Sequence, residues 1–223
     1  MNPISFQAVE EAALLRLGSA ALQARLAVPK SAAELEATGD DRYLSAMSLR
    51  LFRAGLKHEL VDKKWPAFEE VFSGFDPARV AGFSDEALEA LLQDKRLIRH
   101  MGKLRAIRAN AGEMLAIALE HGSFAHWLAA WPVGEITGLW ASLTKRMQHL
   151  GGQSAPYFLR MVGKDTFVLT DSVMRGLVYW EVTDSPPRGK AEIAAVQAVF
   201  DRWQEETGRP LCQLSQILAL SVD

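Results

Sequence analysis

The chain has 223 residues, 49% of them hydrophobic and 23% charged, with a formal net charge of −2. That size and composition can bury a substantial core and exclude a disordered chain, while the near-neutral balance excludes a uniformly basic nucleic-acid coat, so any DNA contact must come from a local concentration of Lys and Arg. The single cysteine, Cys212, excludes an intramolecular disulfide and a multi-cysteine zinc site, and with no uncharged apolar run of membrane-spanning length and no secretory start the expectation is a soluble, cytoplasmic protein.

Apolar spacing predicts helices almost throughout. Residues 6–26 are rich in Ala, Leu, Glu and Gln and read as one helix that stops near Pro29. Ser31 caps a short helix to Ala37, and a polar break over 38–41 leads into a helix over 41–60, carried by Leu44, Met47, Leu51, Leu56 and Leu60. Pro66 opens the next helix, through Phe68, Val71 and Phe72. Ser84 caps another, whose first turn holds Asp85 and Glu86 near the positive helix end. Further helices are expected over 97–119, 124–130, 135–150, 154–162, 172–182, 190–208 and 211–220. Only Thr166-Phe167-Val168-Leu169 has strand composition, and one short piece without a partner makes no sheet. The fold class is therefore all-α.

Two stretches carry charge or turn chemistry. Lys95, Arg96, Arg99, Lys103, Arg105 and Arg108 fall in a run with no acidic residue, which reads as a solvated helix face or as a phosphate-facing one. The second stretch, Leu150-Gly151-Gly152-Gln153-Ser154-Ala155, separates two amphipathic patterns, as the turn of a helix-hairpin-helix unit does. Glycine tolerates positive φ and lets backbone N–H groups approach a phosphate at the start of the following helix. Lys145, Arg146 and His149 precede the turn, and Arg160 and Lys164 follow it. Simple helix punctuation is the competing reading of the two glycines.

Several motifs, taken together, are more specific. Ala54-Gly55-Leu56, Lys64-Trp65-Pro66-Ala67-Phe68, Gly74-Phe75-Asp76-Pro77, the run from Leu97 to Leu104, Asn110-Ala111, Leu143-Thr144-Lys145-Arg146, the Gly151-Gly152 turn and Thr170-Asp171-Ser172-Val173 resemble, in order and spacing, the 3-methyladenine DNA glycosylase I family. The resemblance covers about residues 41–177. It implies a two-lobed helix-hairpin-helix glycosylase fold, with one lobe over 41–172 and the other from 1–40 plus 173–223. It also implies base excision by hydrolysis of the N-glycosidic bond of an alkylated purine in duplex DNA. Asp171 becomes the expected catalytic carboxylate, although Thr170-Asp171-Ser172 also reads as an ordinary helix cap.

The remaining site residues follow in the same way. Gly151, Gly152, Gln153 and Ser154 would hold the phosphate backbone, aided by Lys145, Arg146, Arg99 and Lys103. Arg50, Phe52, His58, Trp65 and Tyr157 are the base-pocket candidates, with core packing the alternative for Phe52 and Trp65. Arg50 stands where the family carries a base-recognising glutamate, and His58 where it carries an aromatic. The family's zinc ligands are missing, so neither zinc nor any other cofactor is expected. The second hairpin helix reads Ala155-Pro156-Tyr157 with no Schiff-base lysine, which implies a monofunctional enzyme. Lys164, the nearest amine, is expected at a phosphate or on a solvated surface. The expected partner is duplex DNA with a damaged base, bound by a monomer without membrane association. The rival reading is a non-catalytic DNA-binding or lesion-sensing protein on the same scaffold.

Overall fold

The computed structural model of the chain describes residues 4–222. These form α1 (Phe6–Leu17), α2 (Ser19–Gln23), α3 (Ala32–Glu36), α4 (Asp40–Arg53), α5 (His58–Val71), α6 (Pro77–Ala81), α7 (Asp85–Leu91), α8 (Met101–His121), α9 (Phe124–Ala130), α10 (Ile136–Arg146), α11 (Ser154–Val162), α12 (Asp171–Tyr179), α13 (Lys190–Thr207) and α14 (Leu211–Leu220). Among the described residues there is no strand, and none of the helices is long and apolar enough to cross a membrane. The fold is all-α, as the spacing predicts.

Polar caps set many of the helix starts. Ser31 Oγ accepts from Glu34 N at 3.2 Å while the Glu34 carboxylate accepts from Ser31 N at 2.8 Å, a reciprocal pairing that satisfies two end-of-helix donors. Ser84, Ser123 and Thr170 cap α7, α9 and α12 through the backbone N–H three residues on. Several predicted boundaries move, among them the ends of the helices expected over 135–150 and 172–182, which fall at Arg146 and Tyr179. The helix over 6–26 breaks at Gly18, whose φ is +76°. That over 41–60 ends at Arg53, and Gly55, at φ +82°, turns the chain. Helix α5 then starts at His58, so Pro66 lies inside it with its ring exposed. Residues 97–100 are not helical, because His100 Nδ1 accepts from Lys103 N at 3.2 Å and caps α8 instead.

The described residues divide into two compact units. One comprises Ser31–Trp131 and Leu139–Val162; the other comprises the chain up to Lys30, Pro132–Gly138 and the chain from Gly163. These divisions fall about ten residues before the expected limits of 41 and 172. The reason is side-chain bonding. Tyr43 Oη of α4 donates to Leu35 O at 2.7 Å, and His126 Nδ1 of α9 lies 2.8 Å from Glu36 Oε1, so α3 belongs with the first unit. At the other limit, the Asp165 carboxylate accepts from Leu211 N at 2.9 Å and Cys212 N at 2.8 Å, tying segment 163–170 to α14.

In the first unit α4 is the central element, burying Tyr43, Leu44, Met47, Leu51 and Phe52. An aromatic run continues from it: Phe52 to Phe68 at 4.8 Å between ring centroids, Phe68 to Trp65 at 4.9 Å, Trp65 to Phe75 at 5.5 Å and Phe75 to Phe72 at 5.4 Å. Burying each such ring contributes about 1.5–3 kcal/mol. In the second unit α14 packs against α1, α12 and α13. Gly176 of α12 lets the backbones meet closely, since a Cβ there would lie 2.9 Å from Leu218 Cγ and 3.0 Å from Leu218 O.

Candidate DNA-binding and base-recognition residues

The hairpin turn runs between α10 and α11 within the first unit. Leu143, Met147 and Leu150 are buried on one side of it, while Gly151 and Gly152 are exposed. Gly152 has φ +57°, a left-handed conformation that favours glycine. The turn is held from below by Asn110, a residue of α8 that is 1% exposed. Its Nδ2 donates to Gln148 O at 3.1 Å and its Oδ1 accepts from Gln148 N at 2.7 Å. Thr144 Oγ1 adds a bond to Leu150 O at 3.1 Å. The result is a braced turn whose Gly151 and Gly152 N–H groups make no backbone hydrogen bond among the described residues, at the start of a helix whose end favours anions. Sequence reasoning included Asn110 in a motif but gave it no role; the motif's spacing was the available signal.

The cations expected to support the hairpin are not equivalent. Lys145 is exposed and makes no ion pair among the described residues. Arg146 is engaged by Glu120, at 3.0 and 3.1 Å, and by Glu113, and these bonds raise its pKa above the ordinary guanidinium value. Its side chain fastens α10 to α8, so it is a poorer phosphate ligand than the sequence suggests. Similar pairing thins the run from Lys95 to Arg108. Arg96 binds Asp94 and Glu70, Arg108 binds Asp85 at 2.8 Å, and Arg105 lies 4.0 Å from the same carboxylate. Lys103 Nζ donates to Ala54 O at 3.0 Å and sits 5.4 Å from the Phe52 ring centroid, and burial lowers its pKa. It completes the carbonyl end of α4. Arg99 stays exposed and unpaired among the described residues.

Of the base-pocket candidates, the structure brings Arg50 to Tyr157 and, in the aromatic run, Phe52 to Trp65. The Arg50 guanidinium lies 4.5 Å from the centroid of the Tyr157 ring, joining α4 to α11. Arg50 Nε is buried without a hydrogen-bond partner, and burial, with the nearby Arg53 charge, pushes the guanidinium below its usual pKa. Phe52 is fully buried and packs with Phe68 and Trp65, so core packing accounts for it. Trp65 is half-buried, with Nε1 donating to Ser45 Oγ at 3.1 Å; Ser45 in turn donates to Glu69, which holds Arg42. His58 is exposed at the first turn of α5.

The second unit carries the expected carboxylate. Asp171 is the first residue of α12, exposed, and takes part in no hydrogen bond or ion pair among the described residues. Thr170 supplies the cap, accepting from Val173 N at 3.1 Å, so Asp171 is not needed for that task. Lys164 departs from expectation. It is 4% exposed, and burial lowers its pKa despite the neighbouring Asp165 charge, so it is neither a surface residue nor a phosphate ligand. Among the described residues no group of three His, Cys, Asp or Glu side chains could hold a metal ion.

Comparison with known proteins gives this arrangement a context. The methyladenine glycosylase family model matches residues 35–149. DNA-3-methyladenine glycosylase 1 of Escherichia coli (strain K12) is 44% identical over 59 residues, which are 26% of this chain and 32% of that protein. The Haemophilus influenzae DNA-3-methyladenine glycosylase is 40% identical over 65 residues, 29% of this chain and 35% of that protein. The aligned segments thus span about a third of the curated relatives' length. A crystal structure of 3-methyladenine DNA glycosylase I superposes with a TM-score of 0.51 at 26% identity, covering 65% of this chain and 87% of that one. An 8-oxoguanine glycosylase/lyase from Methanocaldococcus jannaschii, solved with a DNA 15mer, superposes with a TM-score of 0.56 at 14% identity, covering 96% of this chain and 94% of that one, a likeness of fold. Because the family model spans more than half of the residues and takes in α4, α8 and the approach to the hairpin, this chain belongs to the methyladenine glycosylase family.

Proposed function

We propose that the protein is a monofunctional DNA N-glycosylase, which binds duplex DNA, receives an alkylated or otherwise damaged purine flipped from the stack, and hydrolyses its N-glycosidic bond without cutting the strand. Within the family, the observation that carries this reading is Asp171, an exposed carboxylate at the start of α12 that no other side chain engages. As the bond from C1′ to the base breaks, the electron pair leaves with the base and the sugar acquires oxocarbenium character. The carboxylate stabilises that charge and orients a water, whose oxygen bonds to C1′ while its proton is released to solvent. Alkylation at N3 of adenine makes the base a good leaving group and lowers the demand for acid assistance.

The rest of the chain supplies binding. The N–H groups of Gly151 and Gly152, with Gln153 and Lys145, hold phosphates at the hairpin and Arg99 extends the contact, whereas Ser154 is buried with its N–H on Gly151 O at 3.1 Å and packs within the turn. Helix α11 carries no lysine at its start, and the buried Lys164 is no substitute, so hydrolysis by water is favoured over Schiff-base chemistry. The reaction so written uses neither zinc nor another cofactor, and one copy of the chain suffices.

The test is release of free bases from methylated duplex DNA, each base identified by mass, by the wild-type protein and by Asp171→Asn. The curated relatives are named for 3-methyladenine, which makes it the first lesion to assay. Release by wild type and its loss in the variant is the expected result. Salt-sensitive duplex binding with no base released from any damaged duplex would sink the enzyme reading and leave the lesion-sensing one.

A further inference from the structure

Arg50 is an unusual cation for this molecule. Arg42, Arg53, Arg96, Arg108, Arg146 and Arg209 are each paired with a carboxylate. Arg50 is drawn further into the protein, on the last turn of α4, and has none. Its guanidinium rests against the Tyr157 ring, its Nε is buried without an acceptor, and the like charge of Arg53, itself paired with Asp62, adds a weak repulsion. A buried N–H without an acceptor is destabilising, a cost that a ligand supplying the acceptor would remove. Stacking on Tyr157 fixes the plane of the fork, and a fixed fork donates two parallel N–H bonds to adjacent acceptors.

Such a fork discriminates among purines by charge and by edge. A purine alkylated at a ring nitrogen is cationic in its nucleotide, and a guanidinium without a carboxylate partner repels it most where water is scarce. An uncharged purine with oxygen at C6 offers N7 and O6 as neighbouring acceptors, the pattern that arginine reads in a bidentate manner. Resting on the glycosylase reading above, we propose that Arg50 is the specificity-determining residue of this enzyme and selects an uncharged 6-oxygenated purine, such as hypoxanthine or O6-methylguanine, over a cationic alkylated purine. Intact guanine shares the edge. It is protected by its pairing and stacking, whereas a mispaired lesion leaves the helix at lower cost.

The experiment is single-turnover base release from duplexes carrying hypoxanthine, O6-methylguanine, or 3-methyladenine and 7-methylguanine, by wild type, Arg50→Gln and Arg50→Lys, each checked for native melting. Wild type is expected to release the uncharged bases faster, and both variants to lose that preference by roughly ten- to hundredfold. Arg50→Lys keeps the charge but not the planar fork, so it separates bidentate reading from simple repulsion of cations. Base release whose ranking does not move in either variant, or a wild-type preference for the cationic bases, overturns this inference alone. No release from any of the duplexes overturns the glycosylase reading along with it.

Discussion

Asp165 and Asp171 stand six residues apart in the same unit and have opposite fates. Asp165 is 8% exposed, and both carboxylate oxygens are used on the first two N–H groups of α14. Asp171 is exposed, and nothing in the described residues uses it. One charge has been consumed in building the protein and the other left over for something outside it. The same division separates neighbours on α10, where Arg146 is clamped by Glu113 and Glu120 while Lys145 is free. Charge identity does not mark a functional residue here; what matters is whether the fold has already satisfied it.

The contrast can be broken most sharply at Asp165. Replacing it with Ala leaves two buried N–H groups without acceptors, and the expected loss is about 3 kcal/mol of stability, read as a lower urea midpoint. Asp171→Asn is expected to leave that midpoint within about 0.5 kcal/mol while slowing base release by about 10²-fold, worth roughly 2.7 kcal/mol. If Asp171→Asn unfolds the protein instead, the two carboxylates are alike after all. On α10, Lys145→Ala should lower the salt dependence of duplex binding by about one phosphate contact. Arg146→Ala should change thermal stability more than the salt slope. The smallest effect concerns Asp201, a third carboxylate of the same unit, with Oδ1 buried and lacking a donor and a pKa raised by burial. Because the folded state holds this proton more tightly than the unfolded state, its contribution to stability falls as pH rises from the unfolded carboxylate value through the folded one. Asp201→Asn should therefore raise the melting temperature at neutral pH, and the gain should vanish in acid.

Much of the fold is legible in the sequence because helix starts announce themselves. Ser31, Ser84, Ser123 and Thr170 cap helices through local bonds that need no knowledge of the rest of the chain. The breaks at Gly18 and Gly55 are less legible, since apolar spacing continues on both sides of each glycine and the period alone does not show a turn. Pro66 misleads because an exposed ring in a helix interior is tolerated when water can serve the carbonyl it leaves unpaired. For the site, the hairpin and Asp171 could be named from motif order, but the neutralisation of Arg146 and Arg96 could not. Glu113 and Glu120 lie 33 and 26 residues from Arg146, and Glu70 lies 26 from Arg96, whose other partner Asp94 is local; the distant pairs are set by packing. The burial of Lys164 has the same origin: a lysine after a helix reads as solvated until the segment it sits on is drawn under α14.

The bonds from Asp165 to α14, with the close seat of Gly176 against Leu218, bear on how the protein is made. Helix α12 emerges from the ribosome roughly forty residues before the helix it must pack against, and domains settle as units once their partners have been synthesised. Until α14 has been translated, α12 lacks the helix against which it chiefly packs. A nascent chain can therefore fold its hairpin-bearing unit, and with it a surface for phosphates, before it owns a positioned carboxylate. Under the proposed function, such a chain would bind DNA before it could release a base from it.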